Sequence, residues 1–351
     1  MSEQEFECSA NASVERDTAG SDRCVSRRGG ALRIVAVMGV AAFVAFAPLI
    51  TPQSHHAVAA TGEPAKAVTA RTVDETADAA KQDVAFLERL RGRRNQASEA
   101  CLPLESVRDR DVRRNADAIR SAGLCVAQFG FAEGGLDWRF TAVSNPAGPR
   151  GPVWYLPHDN ESAAFDAAVY AVARYGGRLV AVDGGEGRNF RGVDPNRRFA
   201  RTISDAGPCA MRGPAPIYTD FVMDLFAGKR HVLSMHNNTR GGGLTADIRT
   251  QKSIGYRTNG RFSDRDHMVF IAGKAPVDRD RNARRWRDRL LGAGFNVVHE
   301  TVTAQNNDCS FSNFVALNDG RPYFNIEAVH GSRIQKDMVD ALMPLLGYRP
   351  I

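Results

Sequence analysis

From residue 150 onward, segments patterned as strands alternate with segments patterned as helices, and this alternation limits the fold more than any other feature. Val153–Leu156 (VWYL) is a short apolar run of the kind a sheet buries on both faces. Ser162–Tyr175 follows as a helix with Phe165, Val169 and Val172 inward, and Gly176-Gly177 closes it. Strands at Arg178–Val182, 231–234, 268–271, 295–298 and 323–326 come next, separated by helices over 217–226, 279–291 and 334–346. Such alternation predicts an α/β fold with a mixed, largely parallel sheet flanked by helices. Ligands of these sheets gather at the carboxyl ends of strands, so the residues that follow each strand are the ones to inspect.

The chain before residue 150 reads differently. The run 34–50 (IVAVMGVAAFVAFAPLI) carries no charge, is preceded by Arg27, Arg28 and Arg33, and leads to Ala57-Val58-Ala59. Basic flank, apolar centre and small-x-small site are the three parts of a secretory signal, and Ser26-Arg27-Arg28 loosely resembles a twin-arginine signal. An uncleaved signal anchor has the same pattern, since the run is near the lower limit for crossing about 30 Å of hydrocarbon. Either way the bulk of the chain is expected outside the cytoplasm, secreted, periplasmic or associated with the cell wall. Contact with a membrane is expected only through an uncleaved N-terminal segment. Residues 61–149 read as a linker and an N-terminal helical extension, with helices over 77–96 and 112–122 and strands at 126–129 and 138–140. The expected organisation is therefore 1–60 for export, 61–149 for the extension and 150–351 for a catalytic domain.

Composition narrows the function. With 43% hydrophobic and 25% charged residues, wholesale disorder and a multi-span membrane protein are excluded. The net charge of +6 raises nucleic acid as a partner, but the positives interleave with negatives, as in 108–114 (RDRDVRR). No aromatic-plus-basic strand motif or zinc-finger spacing occurs, so no nucleic-acid partner is expected. After residue 60 the chain has 41 basic and 34 acidic residues and keeps Cys101, Cys125, Cys209 and Cys309. In an oxidising compartment this even set predicts two disulfides, most simply Cys101 with Cys125 and Cys209 with Cys309, out of three possible pairings.

The strand ends carry the chemistry. His158-Asp159-Asn160-Glu161 follows Val153–Leu156, and a His and a Glu three apart at a helix start can turn toward one point. A capping His with a first-turn Glu would look the same. His236 closes the strand that begins at 231, and as a third ligand it would complete two His and one carboxylate with a fourth zinc position left for water. Glu327 ends the apolar strand begun at Tyr323, where burying a carboxylate costs several kcal/mol unless it has a partner. Between them lies Gly192-Val193-Asp194-Pro195-Asn196-Arg197-Arg198-Phe199, in a loop that also holds Arg188 and Arg191. A guanidinium fork there would bind a carboxylate through two parallel hydrogen bonds. Gly184–Gly187 and Gly241–Gly243 are not in nucleotide-binding context and read as cleft rims, while His299 and His330 read as structural.

H-x-x-E, then D-P-N-R-x-F, then a strand-terminal His, then a strand-terminal Glu is an order that resembles the zinc carboxypeptidase superfamily, including its aspartoacylase and succinylglutamate desuccinylase branch. The resemblance spans roughly residues 150 to 346. It implies His158, Glu161 and His236 as ligands of Zn2+, Glu327 as general base and acid, and Asn196 with Arg197 as the clamp for a terminal carboxylate. An arginine upstream of the clamp usually polarises the scissile carbonyl in that superfamily. Arg191 is assigned to that role, with Arg188 as a substrate-binding residue that could fill it instead. The His158–Glu161 and 236–239 stretches look like the H-G-N-E and H-N-T-T segments of the aspartoacylase branch. No tyrosine occurs between Tyr256 and Tyr323, which leaves the substrate-capping tyrosine of digestive-type enzymes unassigned.

The expected function is an exported zinc hydrolase that cleaves an amide bond next to a free carboxylate in a peptide or N-acyl amino acid, of the carboxypeptidase or cell-wall peptide amidase type. Two alternatives stand beside it: an aspartoacylase-like deacylase of small N-acyl amino acids, and a non-catalytic exported module that binds anionic cell-wall polymer.

Overall fold

The most apolar strands take the middle of one nine-stranded mixed sheet. The computed structural model describes residues 12–16, 22–26, 101–331 and 333–351; the run 34–50, its cleavage site and the helix expected over 77–96 lie outside them. The chain divides into two units, residues 1–68 and 69–351. In the first, β1 (Ala12–Arg16) and β2 (Asp22–Ser26) pair as an antiparallel ribbon. The second contains β3 (Cys125–Glu133), β4 (Leu136–Ser144), β5 (Val153–Leu156), β6 (Arg178–Val182), β7 (Val232–Asn238), β8 (Ser253–Tyr256), β9 (Met268–Gly273), β10 (Val297–Thr301) and β11 (Tyr323–Val329). Their order across the sheet is β3-β4-β6-β5-β7-β11-β9-β10-β8. The run β6-β5-β7-β11 is parallel, and antiparallel strands finish both sides. Every residue of β5 and β7 is buried, as expected of central strands covered on both faces.

Helices cover the two faces and make two cores. In chain order they are α1 (Arg110–Arg114), α2 (Ala116–Ser121), α3 (Ser162–Tyr175), α4 (Ile203–Ala206), α5 (Pro216–Leu225), α6 (Arg281–Gly292), α7 (Phe311–Phe314) and α8 (Ile334–Leu345). On one face α3 and α8 pack together over the sheet, where Val169 and Val172 meet Met338, Val339 and Leu342. Ala164, Ala167, Ala168 and Ala171 are almost wholly buried, and their small side chains let α3 lie close to the strands. The other face is aromatic: Trp138, Phe140, Tyr155, Tyr218, Phe221 and Phe311 form one cluster. Gly176 caps α3, and at Gly177 (φ +76°) a Cβ would collide with the Pro152 carbonyl, so only glycine turns the chain here into β6.

The α/β architecture is as expected, with five differences in detail. The sheet does not begin at residue 150. β3 and β4 continue it through β6, so residues 125–144 belong to the same layer as the strands that follow. The helix expected over 112–122 is two short helices, because Asn115 leaves helical geometry and its Nδ2 donates to Asp111 O and Asp166 Oδ1. β7 runs on to Asn238, which places His236 inside the strand. β10 starts at Val297, since Asn296 spends its Nδ2 on the carbonyls of Phe262, Asp264 and His267; β8 was not foreseen. Disulfides join Cys101 to Cys125 and Cys209 to Cys309. Among the described residues no helix is long and apolar enough to cross a membrane.

Candidate metal centre and cleft

His158, Glu161 and His236 are brought together by a strand end, a helix start and a neighbouring strand. Glu161 occupies the N-cap position of α3 but makes no cap hydrogen bond. Asn237 supplies one from β7, its Oδ1 accepting from Ala164 N at 3.1 Å. The Glu161 carboxylate is thereby free to turn inward, where Oε2 accepts from Asn237 N at 3.0 Å. His236 is fixed from behind: Gln335, fully buried at the start of α8, donates to the His236 carbonyl at 2.7 Å and accepts from Asn237 Nδ2 at 2.9 Å.

The donor atoms of these three residues converge. His158 Nδ1 lies 2.8 Å from Glu161 Oε1 and 3.1 Å from His236 Nδ1, and His236 Nδ1 lies 3.0 Å from Glu161 Oε2. All three residues are buried. On the far side of the ring, His158 Nε2 faces Asp194 Oδ1 at 3.0 Å. A carboxylate can only accept, so Asp194 fixes the proton on Nε2 and leaves Nδ1 as a bare lone pair. Two imidazole nitrogens and a carboxylate aimed at one point call for a positive centre between them. Ligands of a tetrahedral zinc at about 2.0–2.2 Å stand about 3.3 Å apart, close to the spacing seen here, and two His with one carboxylate is a zinc donor set. In the metal-free site burial raises the Glu161 carboxyl, but positive charge on the His236 and His158 imidazoles outweighs it and holds the group well below its ordinary range; a cation between the three would take over that charge and leave the imidazoles neutral.

Glu327 is the next group. In the parallel register of β7 and β11 it stands opposite His236. Burial, more than any other cause, pushes its carboxyl up to about 7, with Glu161 adding and His236 opposing. Asn325, two residues back on the same face of β11, donates to Glu327 Oε1 at 2.8 Å, which leaves Oε2 to the cleft. The cleft has a volume of about 350 Å3 and is lined by the three cluster residues, Glu327, Arg188, Asn196 and Arg197 among others.

The loop arginines divide. Arg188 enters the cleft, with Nη1 3.4 Å from Glu161 Oε1 and Nη2 3.4 Å from Asp194 Oδ2. Arg191, assigned to the carbonyl from sequence, does not line the cleft: it pairs with Asp137 at 3.5 Å on the surface. The reason is Phe190, which stacks on Trp138 and bridges to Val193, so the chain reverses with Arg191 outside at φ +47°. Arg188 is therefore the arginine beside the cluster. Asn196 lines the cleft but uses its Oδ1 to accept from Phe311 N, and so anchors the start of α7. Arg197 donates to the Asn196 carbonyl at 2.7 Å and pairs with Asp308 at 3.5 Å.

Three groups in the site were not singled out from sequence. Asp194 lies inside the quoted D-P-N-R stretch, where it caps the 195–197 turn and orients His158. Asn325 lies on β11 in register with the Glu327 face. Glu300, at the end of β10, would have been inspected as a strand-end acid had that strand been extended to its full length.

No protein-family model matches the chain, and no curated protein matches its sequence. Solved structures align with it. A candidate metallopeptidase from Shewanella denitrificans is 13% identical, with 67% of this chain and 87% of that one covered and a TM-score of 0.37. An aspartoacylase family protein from Mesorhizobium loti is 14% identical, with coverage of 64% and 68% and a TM-score of 0.38. A metallo-carboxypeptidase from Burkholderia cenocepacia is 12% identical, with coverage of 66% and 67% and a TM-score of 0.36. Likeness of this degree leaves the chemistry to be read from the side chains.

Proposed function

We propose that the chain is an exported zinc hydrolase that cleaves an amide bond next to a free carboxylate, in a peptide or an N-acyl amino acid. The observation that carries this reading is the convergence of His158 Nδ1, His236 Nδ1 and the Glu161 carboxylate, with Glu327 in register beside His236. The two disulfides support a location outside the cytoplasm.

His158, Glu161 and His236 would hold the zinc, which supplies a Lewis acid that acidifies water and polarises a carbonyl. Glu327 accepts the proton of the attacking water at Oε2, since Oε1 is already held by Asn325. Burial, which works to raise its carboxyl, helps the same atom keep that proton and pass it to the leaving nitrogen. Arg188, within hydrogen-bond reach of the cluster, steadies negative charge as it develops on the carbonyl oxygen. Arg197 grips the terminal carboxylate and sets which bond lies beside Glu327.

The deciding measurement is metal content. Purified protein should carry about one zinc per chain, and His158→Ala should lose it. Zinc near zero in both proteins would sink the reading.

A further inference from the structure

The cleft runs away from the metal cluster into a chain of alternating charges. Arg197 Nη2 is 3.5 Å from Asp308 Oδ2, Lys252 Nζ is 3.5 Å from the same oxygen, and Lys252 Nζ is 2.6 Å from Glu300 Oε1. Asp308 and Glu300 both line the cleft, whereas Lys252 reaches them from outside its lining. The Glu300 side chain is 8% exposed, and burial raises its pKa against the pull of Lys252. Its second oxygen has only a long 3.5 Å contact, from Ser312 Oγ. Nearby on the lining, Asn325 spends its Nδ2 on Glu327 while its buried Oδ1 accepts no hydrogen bond. A buried carboxylate with one oxygen barely used is costly to leave without a donor.

The balance of charge points the same way. When Arg197 turns to a substrate carboxylate, Lys252 is left as one cation between two carboxylates, Asp308 and Glu300. An apolar side chain seated here would bury two carboxylates against the single charge of Lys252. A cationic one would complete them.

We infer that Glu300 and Asp308 form a specificity subsite for a C-terminal residue with a cationic side-chain tip, the α-carboxylate on Arg197 and an ω-ammonium against Glu300. This rests on the proposed hydrolase reading and names its substrate class. The test separates the two. Lysine and norleucine share the carboxylate and the α-amine and differ at the tip, so their binding to the zinc-loaded full chain is compared by calorimetry. Lysine should bind at least about tenfold more tightly, and Glu300→Gln should bring the ratio below about threefold. Norleucine binding as tightly as lysine would overturn the subsite, as would a lysine preference that survives Glu300→Gln. If that variant fails to fold, the wild-type ratio decides. Hydrolysis of benzoyl-glycyl-lysine against benzoyl-glycyl-norleucine is the second readout. Cleavage of neither, with lysine still preferred in binding, would remove the hydrolase reading and leave the subsite standing.

Discussion

At the metal end of the cleft the charged side chains are closed in. His158, Glu161 and His236 are 4%, 3% and 5% exposed, and each is held by protein partners: Asp194 on His158, Asn237 N on Glu161, Gln335 on the His236 carbonyl. At the far end the side chains of Arg197, Asp308 and Lys252 keep about a third of their exposure and pair at 3.5 Å or reach inward from outside. The difference is one of purpose. A closed network holds a single geometry for a permanent occupant, and a half-open one can exchange a protein partner for a ligand and take it back when product leaves.

This contrast can be broken or sharpened by substitution. The largest effect should come from Glu327→Gln, which removes the proton acceptor without touching the cluster: turnover on a susceptible peptide should fall about 10²- to 10⁴-fold with zinc content unchanged. Robust turnover in the zinc-loaded variant would remove Glu327 from the chemistry. Next comes Asp194→Ala, which frees His158 Nε2; zinc affinity measured by competition with a chelator should drop about 10- to 100-fold. Unchanged affinity would mean that the closed end is less closed than its hydrogen bonds indicate. At the half-open end, Arg197→Ala should raise KM about tenfold or more while zinc stays bound, because it deletes the charged hydrogen bond to the ligand and, within the protein, only the contacts to Asp308 and the Asn196 carbonyl. A loss of zinc there would join the two ends into one network.

The smallest effect is on stability of the zinc-free protein. The Glu327 carboxyl titrates near 7 in the fold and near 4.5 in an unfolded chain. Between those values the folded state binds the extra proton, so the contribution of Glu327 is full below about 4.5 and is lost as pH rises through 7. Chemical denaturation of wild type against Glu327→Gln should show the wild type losing about 1 kcal/mol more per pH unit across that window. Parallel curves would show that the buried carboxyl is not held neutral.

What sequence revealed follows the same division. Residues on strands were legible, because a strand fixes which side chain stands at its end. His158, Glu161, His236 and Glu327 all lie on or next to β5, β7 and β11, whose apolar runs are plain. Residues on loops were legible only in part, since Asn196 and Arg197 do line the cleft. Which of Arg188 and Arg191 enters the cleft depends on Phe190 stacking against Trp138, a contact between segments 52 residues apart that no local pattern carries. The start of the sheet was misplaced for a similar reason, since the pairing of β4 with β6 is what attaches β3 and β4 to it. Lys252 and Glu300 meet only because β8, itself unforeseen, pairs with β10.

The register of β7 with β11 has one more consequence. His236 and Glu327 stand on adjacent strands, so the proposed metal ligand and the proposed proton acceptor are one rung of the backbone ladder apart, about 4.8 Å between their strands. That spacing belongs to the peptide lattice and not to any side-chain fit. A designer could therefore rebuild the loop at 302–310 for a different cargo without having to re-space these two residues.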